Sequence, residues 1–471
     1  MNKANKPIIE PITTTLNAFE IFLLFKDKPY CFFLDSALPQ AKLGRYSFIG
    51  ADPFLIFQSK NLDVQIIEGK GRADLTGKPL DLLREYLQRY QVINPASLPF
   101  VGGAVGYFGY DLNRQIERLP SVSRDDTGIP DCCLGFYDWV IVCDHLENRV
   151  YAATTGLPET DAIKAQKQAV AKIKELKRIV AGGSKDVTLP ALPIGETMLK
   201  SNFSIEGYCQ AIQRAIDYIY AGDIYQVNLS QRFTGEFPGD PAGLYRRLRS
   251  INPAPFAAYL NFDEVAVISS SPERFVKVTS DLIETRPIKG TRPRGKTPEE
   301  DRALQEELLN SVKDRAELVM IVDLERNDLG RVCKPGSVEV TELFTLESYA
   351  TVHHLVATVV GRLAKDKDLI DLLKASFPGG SITGAPKIRS MEIIEELEPT
   401  RRNIYTGSIG YLGFDGNMDL NIAIRTMVIK DRQVYFQAGG AIVADSVPED
   451  EYQETLDKAR AMIKALNGRF A

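Results

Sequence analysis

One lysine stands in a segment that is dense in cations, "ETRPIKGTRPRG" at 284–295. Lys289 follows Ile288 and precedes Gly290 at the end of a predicted strand. A lysine amine can be solvated, can bind an anion or can react, and it is a nucleophile only when it is neutral. Burial in a closed site lowers the pKa of a lysine toward that neutral state. Lys289 is therefore the first candidate for chemistry.

Two pairs of carboxylates recur at helical spacing near the middle and the end of the chain. Asp314 and Glu317 are separated by three positions, and so are Glu451 and Glu454. Side chains with this spacing share one face of a helix. Spacing alone favours two solvated helix faces, because acidic pairs are common there. The second interpretation is that both pairs hold one Mg²⁺ ion through oxygen ligands.

Two glycine-rich turns can bind anions. They are "FPGGSITGAPK" at 377–387, with Pro386 placed like the first residue of a helix, and "FQAGGAIVADS" at 436–446. Backbone N–H groups at a helix-opening turn suit a carboxylate or a phosphate. The first turn lacks the GK[ST] ending of a Walker loop, and an ordinary helix-entry turn explains it equally well.

Four further polar residues complete the set of candidates. Glu273 follows a strand in "SSSPERF", and Arg425 interrupts an apolar strand in "NIAIRT". A buried arginine normally pairs with a carboxylate. Tyr405 can donate a hydroxyl, and His354 lies in an alternating strand, where a lone histidine is more often structural than catalytic. Each has a structural interpretation, but together with the acidic pairs they suit a small dicarboxylate.

The surrounding sequence predicts three regions. Residues 7–152 contain short strands and one amphipathic helix, residues 153–200 contain a helix and a linker, and residues 201–465 contain helices and alternating strands. One long helical segment is expected at about 298–329. Many strands with separate helices, rather than regular βαβ repeats, predict an α+β fold.

Composition excludes several functional classes. The chain has 471 residues, a formal net charge of −5, six cysteines without C-x-x-C spacing and three histidines. The acidic balance disfavours a nucleic-acid-binding module built on the basic segment 284–295, and a zinc site is not expected. The apolar run at 21–25 is too short to span a bilayer, and the start has no signal-peptide pattern. We expect a cytoplasmic protein that binds neither nucleic acid nor membrane.

Ordered motifs link these candidates to a known family. The chain resembles the chorismate-utilising enzymes, densely over 201–465 and more loosely over 30–150. The resemblance implies a catalytic domain at 201–465, an N-terminal region similar to that of anthranilate synthase component I at 7–152, and large antiparallel β-sheets in a sandwich-like core with helices packed outside. The motifs are "GDIYQVNLSQRF", "SSSPERF", "RPIKGTRPRG", "DRAELVMIVDLERNDLGRV", "FPGGSITGAPKIRSMEIIEELEP", "GSIGYLGFDGNMDLNIAIRT" and "AGGAIVADSVPEDEYQETLDKA".

Two positions indicate the branch of the family. Isochorismate and salicylate synthases have a water-activating lysine where this chain has Gln226, and glutamine cannot deprotonate water. Anthranilate synthases usually have "PIAGT" where this chain has "PIKGT", with Lys289 in place of the alanine. The resemblance therefore implies amination of chorismate to 4-amino-4-deoxychorismate, as in aminodeoxychorismate synthases of 4-aminobenzoate and folate biosynthesis. The alternative is the anthranilate synthase reaction of tryptophan biosynthesis.

The resemblance also implies residue roles. Lys289 matches a nucleophile that attacks the ring, Glu273 matches the acid that protonates the leaving hydroxyl, and His354 matches a histidine near the ring. Glu317 and Glu454 match Mg²⁺ ligands, with Asp314 and Glu451 beside them. The positions implied to bind substrate are Gln226, Gly290, Thr291, Ser381, Tyr405, Arg425, Gly439, Ala441 and Lys458.

Departures from the family pattern and a second site add to these expectations. The family commonly has threonine at Ser381 and glycine at Ala441, where a methyl group can crowd the pocket. Ser36, Pro255 and Phe256 match a pocket that binds tryptophan in anthranilate synthases. The sequence shows no glutaminase motif. We therefore expect a separate glutamine amidotransferase subunit to supply ammonia.

Overall fold

A computed structural model of the chain describes residues 6–37, 43–95, 98–184, 189, 195–349 and 352–470. Most of the predicted linker, residues 185–188 and 190–194, lies outside the described residues, so the linker prediction is untested there.

Strands make up most of the structure. In the first half of the chain they are β1 (Ile8–Ile12), β2 (Cys31–Asp35), β3 (Tyr46–Gly50), β4 (Leu55–Lys60), β5 (Asp63–Glu68), β6 (Gly71–Thr76), β7 (Gly103–Phe108), β8 (Cys132–Tyr137), β9 (Trp139–Asp144), β10 (Arg149–Thr154), β11 (Thr197–Ser201) and β12 (Gln226–Glu236). In the second half they are β13 (Phe256–Phe262), β14 (Val265–Ser271), β15 (Arg274–Thr279), β16 (Leu282–Thr285), β17 (Ile288–Pro293), β18 (Glu339–Ser348), β19 (Val352–Arg362), β20 (Gly384–Ala385), β21 (Ser408–Gly413), β22 (Met418–Asn421), β23 (Thr426–Lys430), β24 (Gln433–Ile442) and β25 (Gly468–Phe470).

The helices lie between these strands along the chain. They are α1 (Ala18–Leu23), α2 (Pro79–Arg89), α3 (Ala162–Ala181), α4 (Ile205–Tyr220), α5 (Pro241–Ile251), α6 (Pro298–Asn310), α7 (Val312–Gly330), α8 (Leu369–Ser376), α9 (Lys387–Leu397) and α10 (Pro448–Leu466). Two short 3-10 helices cover Tyr110–Gln115 and Gly380–Ile382. None of the helices in the described part of the chain is long and apolar enough to cross a membrane.

The strands form two large sheets, and both the N-terminal and the C-terminal region contribute strands to each sheet. The first sheet runs β1-β10-β9-β3-β2-β13-β14-β23-β24-β12-β11-β25, and β20 joins β12. The second runs β17-β19-β16-β15-β22-β21-β7-β8-β4-β5-β6, and β18 joins β19. Strand β2 pairs with β13, and β7 pairs with β21. Residues 7–152 and 201–465 therefore each supply strands to both sheets.

The two sheets pack face to face, with helices on their outer faces. Successive residues of a strand point to opposite faces of its sheet. In β13, Ala258 and Leu260 join an inner apolar cluster together with Val105 of the second sheet, whereas Tyr259 points to the outer helices. The prediction of an α+β fold with a sandwich-like antiparallel core and outer helices is confirmed.

The predicted single helix at about 298–329 is wrong, because Ser311 interrupts it. The backbone of Ser311 is extended, with φ −63° and ψ 111°, which ends α6. Its hydroxyl accepts a hydrogen bond from the Asp314 N–H and caps α7. Serine competes for backbone groups in this way, and the cap fixes where the following acidic residues begin their helix.

The chain crosses between the sheets at two neighbouring points. β14 of the first sheet leads directly into β15 of the second, and β22 of the second leads back through Ile422–Arg425 to β23 of the first. The Ile422 N–H donates to the Glu273 carbonyl at 3.0 Å, and the Ser270 N–H donates to the Arg425 carbonyl at 3.1 Å. Both crossings are therefore held side by side.

The shared sheets predict one cooperative unfolding transition. Trp139 is the only tryptophan of the chain, is buried in β9 and packs against Phe25, so its fluorescence reports on residues 7–152. Far-UV circular dichroism reports on the whole chain. We expect both signals to share one urea midpoint, because neither region closes a sheet alone. A fluorescence transition that is complete before the dichroism changes would show that residues 7–152 unfold independently.

Candidate active site

A cavity of about 770 Å³ opens beside the two crossings. It is bounded by β12, β17, β24, α7, α10 and the Gly380–Ile382 turn. The structure brings most of the predicted site residues together around it. Those that line it are Glu273, Lys289, Gly290, Thr291, Asp314, Glu317, His354, Ser381, Tyr405, Arg425, Gly439, Ala441, Glu451, Glu454 and Lys458.

Lys289 enters the cavity from a bulge in β17. The register between β17 and β19 shifts between Lys289 and Thr291, and Gly290 adopts φ +78°. A side chain at Gly290 would lie within 2.9 Å of Asp314 and Leu308, so this position requires glycine. The Lys289 amine donates to the Ser381 carbonyl at 3.2 Å. Burial lowers the pKa of Lys289, and the charges of Glu317 and Glu273 oppose that shift.

Glu273 lies at the first crossing between the sheets and is almost fully buried. Burial raises the pKa of its carboxyl, while the Ser381 hydroxyl and the Lys289 charge oppose that shift. The Ser381 hydroxyl donates to Glu273 Oε1 at 2.7 Å. A carboxyl in such a place retains a proton more readily than an exposed one, as a general acid must.

Ser381 belongs to the turn that the sequence marked as glycine-rich. Its hydroxyl holds Glu273 and its carbonyl accepts from Lys289, so one residue links both candidates. Helix α9 begins at Lys387 with Pro386 as its N-cap residue, so the prediction that Pro386 is the first helical residue is wrong by one position.

Arg425 lies at the second crossing and supplies positive charge. In the described part of the chain it forms no ion pair, unlike the carboxylate pairing that its burial predicted. Its backbone has φ +50°, a conformation that non-glycine residues seldom adopt. Burial lowers the pKa of its guanidinium, and Glu273 opposes this shift. A half-buried arginine without an ion-pair partner, facing a cavity, favours an anionic ligand.

The two adjacent histidines have different environments. His354 faces the cavity, and its Nδ1 lies 2.9 Å from the Thr291 hydroxyl. Burial and the Arg425 charge lower the pKa of His354 to about 3, so its ring is neutral at pH 7. His353 is fully buried and contacts Ser348 and Asp301 instead. The two rings therefore point to opposite faces of β19, as neighbouring residues of a strand do.

The acidic residues lie on helices α7 and α10, on the far side of the cavity. Burial raises the pKa of Glu317 and of Glu451. Glu451 accepts from the Ser446 hydroxyl through Oε1 at 2.7 Å, whereas its buried Oε2 has no hydrogen-bond partner. Glu454 forms an ion pair with Lys458 at 2.6 Å. Two helices thus direct carboxylates into one cavity.

These carboxylates fit a divalent cation only with help from other ligands. The unpartnered Oε2 of buried Glu451 is an available oxygen donor. Asp314 pairs instead with Arg292 at 3.1 Å. Within the described ranges, no three acidic, histidine or cysteine side chains are grouped closely enough to enclose a metal ion by themselves. Mg²⁺ commonly uses one or two protein carboxylates together with substrate oxygens and waters, and this donor set fits that pattern.

The backbone of β24 approaches the acidic residues closely. The Gly439 carbonyl accepts from the Lys458 amine at 2.9 Å. A side chain on Gly440 would lie 2.8 Å from Glu451 Oε2. Ala441 pairs with Asn228 of β12 and lines the cavity. The sequence marked this glycine pair only as an ambiguous turn, and the contact of Gly440 with Glu451 was missed.

Gln226 does not reach the cavity. Alternation in β12 places it on the same face as Asn228, which lines the cavity, but Gln226 is fully buried and is not among the lining residues. Its amide nitrogen and oxygen have no hydrogen-bond partner. The short strand β20 pairs with the beginning of β12 at this position, and the role of Gln226 in substrate binding stays a prediction.

Sequence reasoning also missed Arg402. Its guanidinium binds the buried Glu398 and donates to the carbonyls of Ile382 and Asn228, two residues that line the cavity. Only the four-residue spacing between Glu398 and Arg402 hinted at this pair.

A second cavity of about 300 Å³ contains the residues matched to a tryptophan pocket. Ser36, Pro255 and Phe256 all line it, between β2, β13 and β21. Ser36 donates its hydroxyl to the Tyr46 carbonyl at 2.7 Å. The structure therefore brings the three residues together, and the ligand of this cavity stays a prediction.

Comparisons with known proteins agree with this geometry. Anthranilate synthase component 1 of Acetivibrio thermocellus is 43% identical over 470 residues, covering 97% of this chain and 95% of that protein. Aminodeoxychorismate synthase component 1 of Escherichia coli K12 is 42% identical over 440 residues, covering 93% of each. The crystal structure of anthranilate synthase component I from Streptococcus pneumoniae TIGR4 superposes with a TM-score of 0.78 at 34% identity, covering 90% of this chain and 94% of that one.

Relatives with two different names match this chain at nearly equal identity. They therefore establish the family but do not distinguish between the two reactions. The model of the chorismate binding enzymes matches residues 30–464, which include every residue around the main cavity. With its α+β sandwich and its cationic and acidic cavity, the chain belongs to the family of chorismate-binding enzymes.

Proposed function

We propose that the protein aminates chorismate to 4-amino-4-deoxychorismate, with ammonia as the nitrogen source. The observation that carries this choice is the Lys289 amine, which projects into the cavity and donates to the carbonyl of Ser381, the residue whose hydroxyl binds Glu273. The bulge in β17, with Gly290 at φ +78°, directs the Lys289 side chain into the cavity, and a lysine that was merely solvated would not require this local distortion.

The proposed chemistry has two displacement steps. The neutral Lys289 amine forms a bond to ring carbon 2, the ring double bonds shift, and the 4-hydroxyl leaves as water with a proton from Glu273. Ammonia then attacks carbon 4, the double bonds shift back, and the carbon–nitrogen bond to Lys289 breaks. The sum is chorismate plus ammonia to 4-amino-4-deoxychorismate plus water. The lowered pKa of Lys289 and the raised pKa of Glu273 favour the two protonation states that this sequence begins with.

The other side chains bind and orient the substrate. Arg425 pairs with a substrate carboxylate, because it has no ion-pair partner in the described chain and its burial makes a bound anion favourable. Neutral His354, held by Thr291, can accept or donate a hydrogen bond near the ring without adding charge. Tyr405 lines the same wall.

A divalent cation fits the acidic side of the cavity. We propose that Glu317 and Glu454 hold Mg²⁺, with Glu451 and Asp314 beside them. The ion would neutralise a substrate carboxylate and make it a better electron sink. Lys458, which pairs with Glu454 in this structure, is then free to contact the substrate.

Ammonia is proposed to come from a separate glutamine amidotransferase subunit. Gln226 has no ionisable group, so this chain has no base at that position to activate water.

The anthranilate synthase reaction is the second candidate, since an anthranilate synthase component matches this chain at 43% identity. That reaction would release pyruvate and an aromatic product.

Product identity tests the proposal directly. We expect purified protein with chorismate, Mg²⁺ and an ammonium salt to form 4-amino-4-deoxychorismate, identified by mass and retention time. The enolpyruvyl group should be retained, so pyruvate should not be released. Formation of anthranilate and pyruvate would instead establish the second candidate.

A lysine variant tests the nucleophile. Lys289→Ala should lose most of its rate at low ammonia concentration, because the covalent step is removed. Part of the remaining product should be 2-amino compounds, since ammonia can then attack carbon 2. The intact mass of the wild type mixed with chorismate should include an adduct that maps to Lys289.

The matched control is Lys296→Ala, which removes an exposed lysine just after the same strand. It should keep the wild-type rate and product. A Lys289→Ala enzyme with full rate and an unchanged product would reject the nucleophile role.

Metal binding can be measured without turnover. Calorimetric titration with Mg²⁺ should show binding to the wild type and at least about tenfold weaker binding to Glu454→Gln. EDTA should abolish turnover, and excess Mg²⁺ should restore it. Glu449→Gln removes an exposed carboxylate from the first turn of the same helix and should bind Mg²⁺ normally. Equal Mg²⁺ affinity in both variants would mean that Glu454 is only an ion-pair partner of Lys458.

A further inference from the structure

A buried carboxyl that the proposed chemistry does not use lies behind the Gly380–Ile382 turn. Glu325 is on α7, is only 4% exposed and does not line the cavity. It lies one turn of helix before Asp328, which is buried as well. A buried carboxylate requires a compensating partner, so the state of Glu325 has to be explained.

The one ammonium group among the described residues that lowers the pKa of Glu325, that of Lys387, already has other partners. Lys387 of α9 donates to Asp328 Oδ2 and, at 2.8 Å, to the Ser376 carbonyl. Lys387 therefore neutralises Asp328, and no described cation forms an ion pair with Glu325. The other charged groups that face Glu325 are the carboxylates of Asp328 and Glu273, which repel a second negative charge.

Hydrogen bonding to Thr285 indicates a proton on Glu325. The Thr285 hydroxyl lies 2.7 Å from the Phe275 carbonyl and 3.3 Å from Glu325 Oε2. A hydroxyl has one proton, and a carbonyl can only accept, so the shorter contact takes that proton. The longer contact is then satisfied only if Glu325 Oε2 carries a proton and donates it to Thr285.

The other oxygen of Glu325, Oε1, faces the Gly380–Ile382 turn. The Gly380 N–H is close enough to this carboxyl to oppose the rise of its pKa. A side chain on Gly380 would lie 2.6 Å from Leu324 and 3.4 Å from Glu325 Oε1, so the turn lies directly on this part of α7. The next residue, Ser381, contacts both Glu273 and Lys289.

We propose that Glu325 is a neutral carboxylic acid that positions the Gly380–Ile382 turn, and through it Ser381, against Glu273 and Lys289. It donates to Thr285 of β16 and accepts from Gly380, and its neutrality keeps a second negative charge away from Glu273. Burial, together with the charge of Asp328, raises the pKa of Glu325 to about 8, in agreement with this geometry. The inference rests on the proposed function through the roles of Glu273 and Lys289, and both candidate reactions of chorismate can share the role of Glu273.

Two substitutions separate neutrality from shape. Glu325→Gln keeps an acceptor for Gly380 and a donor for Thr285, so at pH 7 its kcat and KM should stay within about twofold of the wild type. Glu325→Leu removes both hydrogen bonds and frees the turn. Its kcat should fall by a factor on the order of 10–100, with a smaller change in KM, because a small displacement of reacting groups is costly. Asp323→Asn, an exposed position on the same helix, is the matched control.

The raised pKa of Glu325 predicts how the stability of the protein changes with pH. Folded Glu325 keeps its proton up to about pH 8, whereas the unfolded residue loses it near its ordinary pKa of 4.5. Between these values the folded state binds more protons, so this group lowers the free energy of unfolding as the pH rises. The Tm of Glu325→Gln should therefore rise relative to the wild type from pH 5 to pH 8. Above pH 8 the wild type should also lose activity relative to Glu325→Gln.

Infrared spectroscopy measures the proton directly. A protonated buried carboxyl gives a C=O stretching band that shifts in D₂O, and the difference spectrum of the wild type minus Glu325→Gln at pH 7 should contain this band. Loss of activity in Glu325→Gln equal to that in Glu325→Leu would overturn the proposal, as would wild-type behaviour of Glu325→Leu or the absence of the band. Rates are followed as chorismate consumption, so an unexpected product rejects the proposed function without affecting this test.

Discussion

Two chain crossings between the sheets, held together by main-chain hydrogen bonds, are the constraint on which the cavity depends. The first crossing carries Glu273 and the second carries Arg425, and each donates or accepts a backbone hydrogen bond with the other crossing. An acidic and a basic side chain are thereby placed next to each other although about 150 residues separate them in the sequence. Packing of both sheets around this point buries Glu273 and thereby raises the pKa of its carboxyl.

Burial is the common physical cause of the electrostatics around the cavity. It lowers the pKa of Lys289 and His354 and raises that of Glu273 and Glu451, because a low-dielectric environment disfavours every charged form. Opposite charges close by oppose these shifts without reversing them. A single environment therefore favours a neutral amine and a protonated acid at the same pH, which are the two states that the proposed amination needs.

The Gly380–Ile382 turn connects this electrostatic environment to the scaffold. Ser381 contacts both Glu273 and Lys289, and Arg402 donates to the Ile382 carbonyl from the other side. Behind the turn, α7 contributes Glu325. The same helix presents Glu317 to the cavity from a different face. Helix α7 thus positions both the turn and the Asp314–Glu317 part of the acidic side of the cavity, and the start of this helix is set by the Ser311 cap.

The sequence by itself determined the α+β class, most strands and the membership of the candidate site, because alternation, glycine-rich turns and ordered motifs are local patterns. Lys289, Glu273 and Arg425 could be selected from residue type and neighbours alone. Only the tertiary structure decided that both regions share both sheets and that Arg425 has no ion-pair partner in the described chain. It also decided that Gln226 is buried outside the cavity lining, and that Glu325 lies behind the Gly380–Ile382 turn. These outcomes depend on contacts between residues far apart in the chain, and neither periodicity nor spacing contains them.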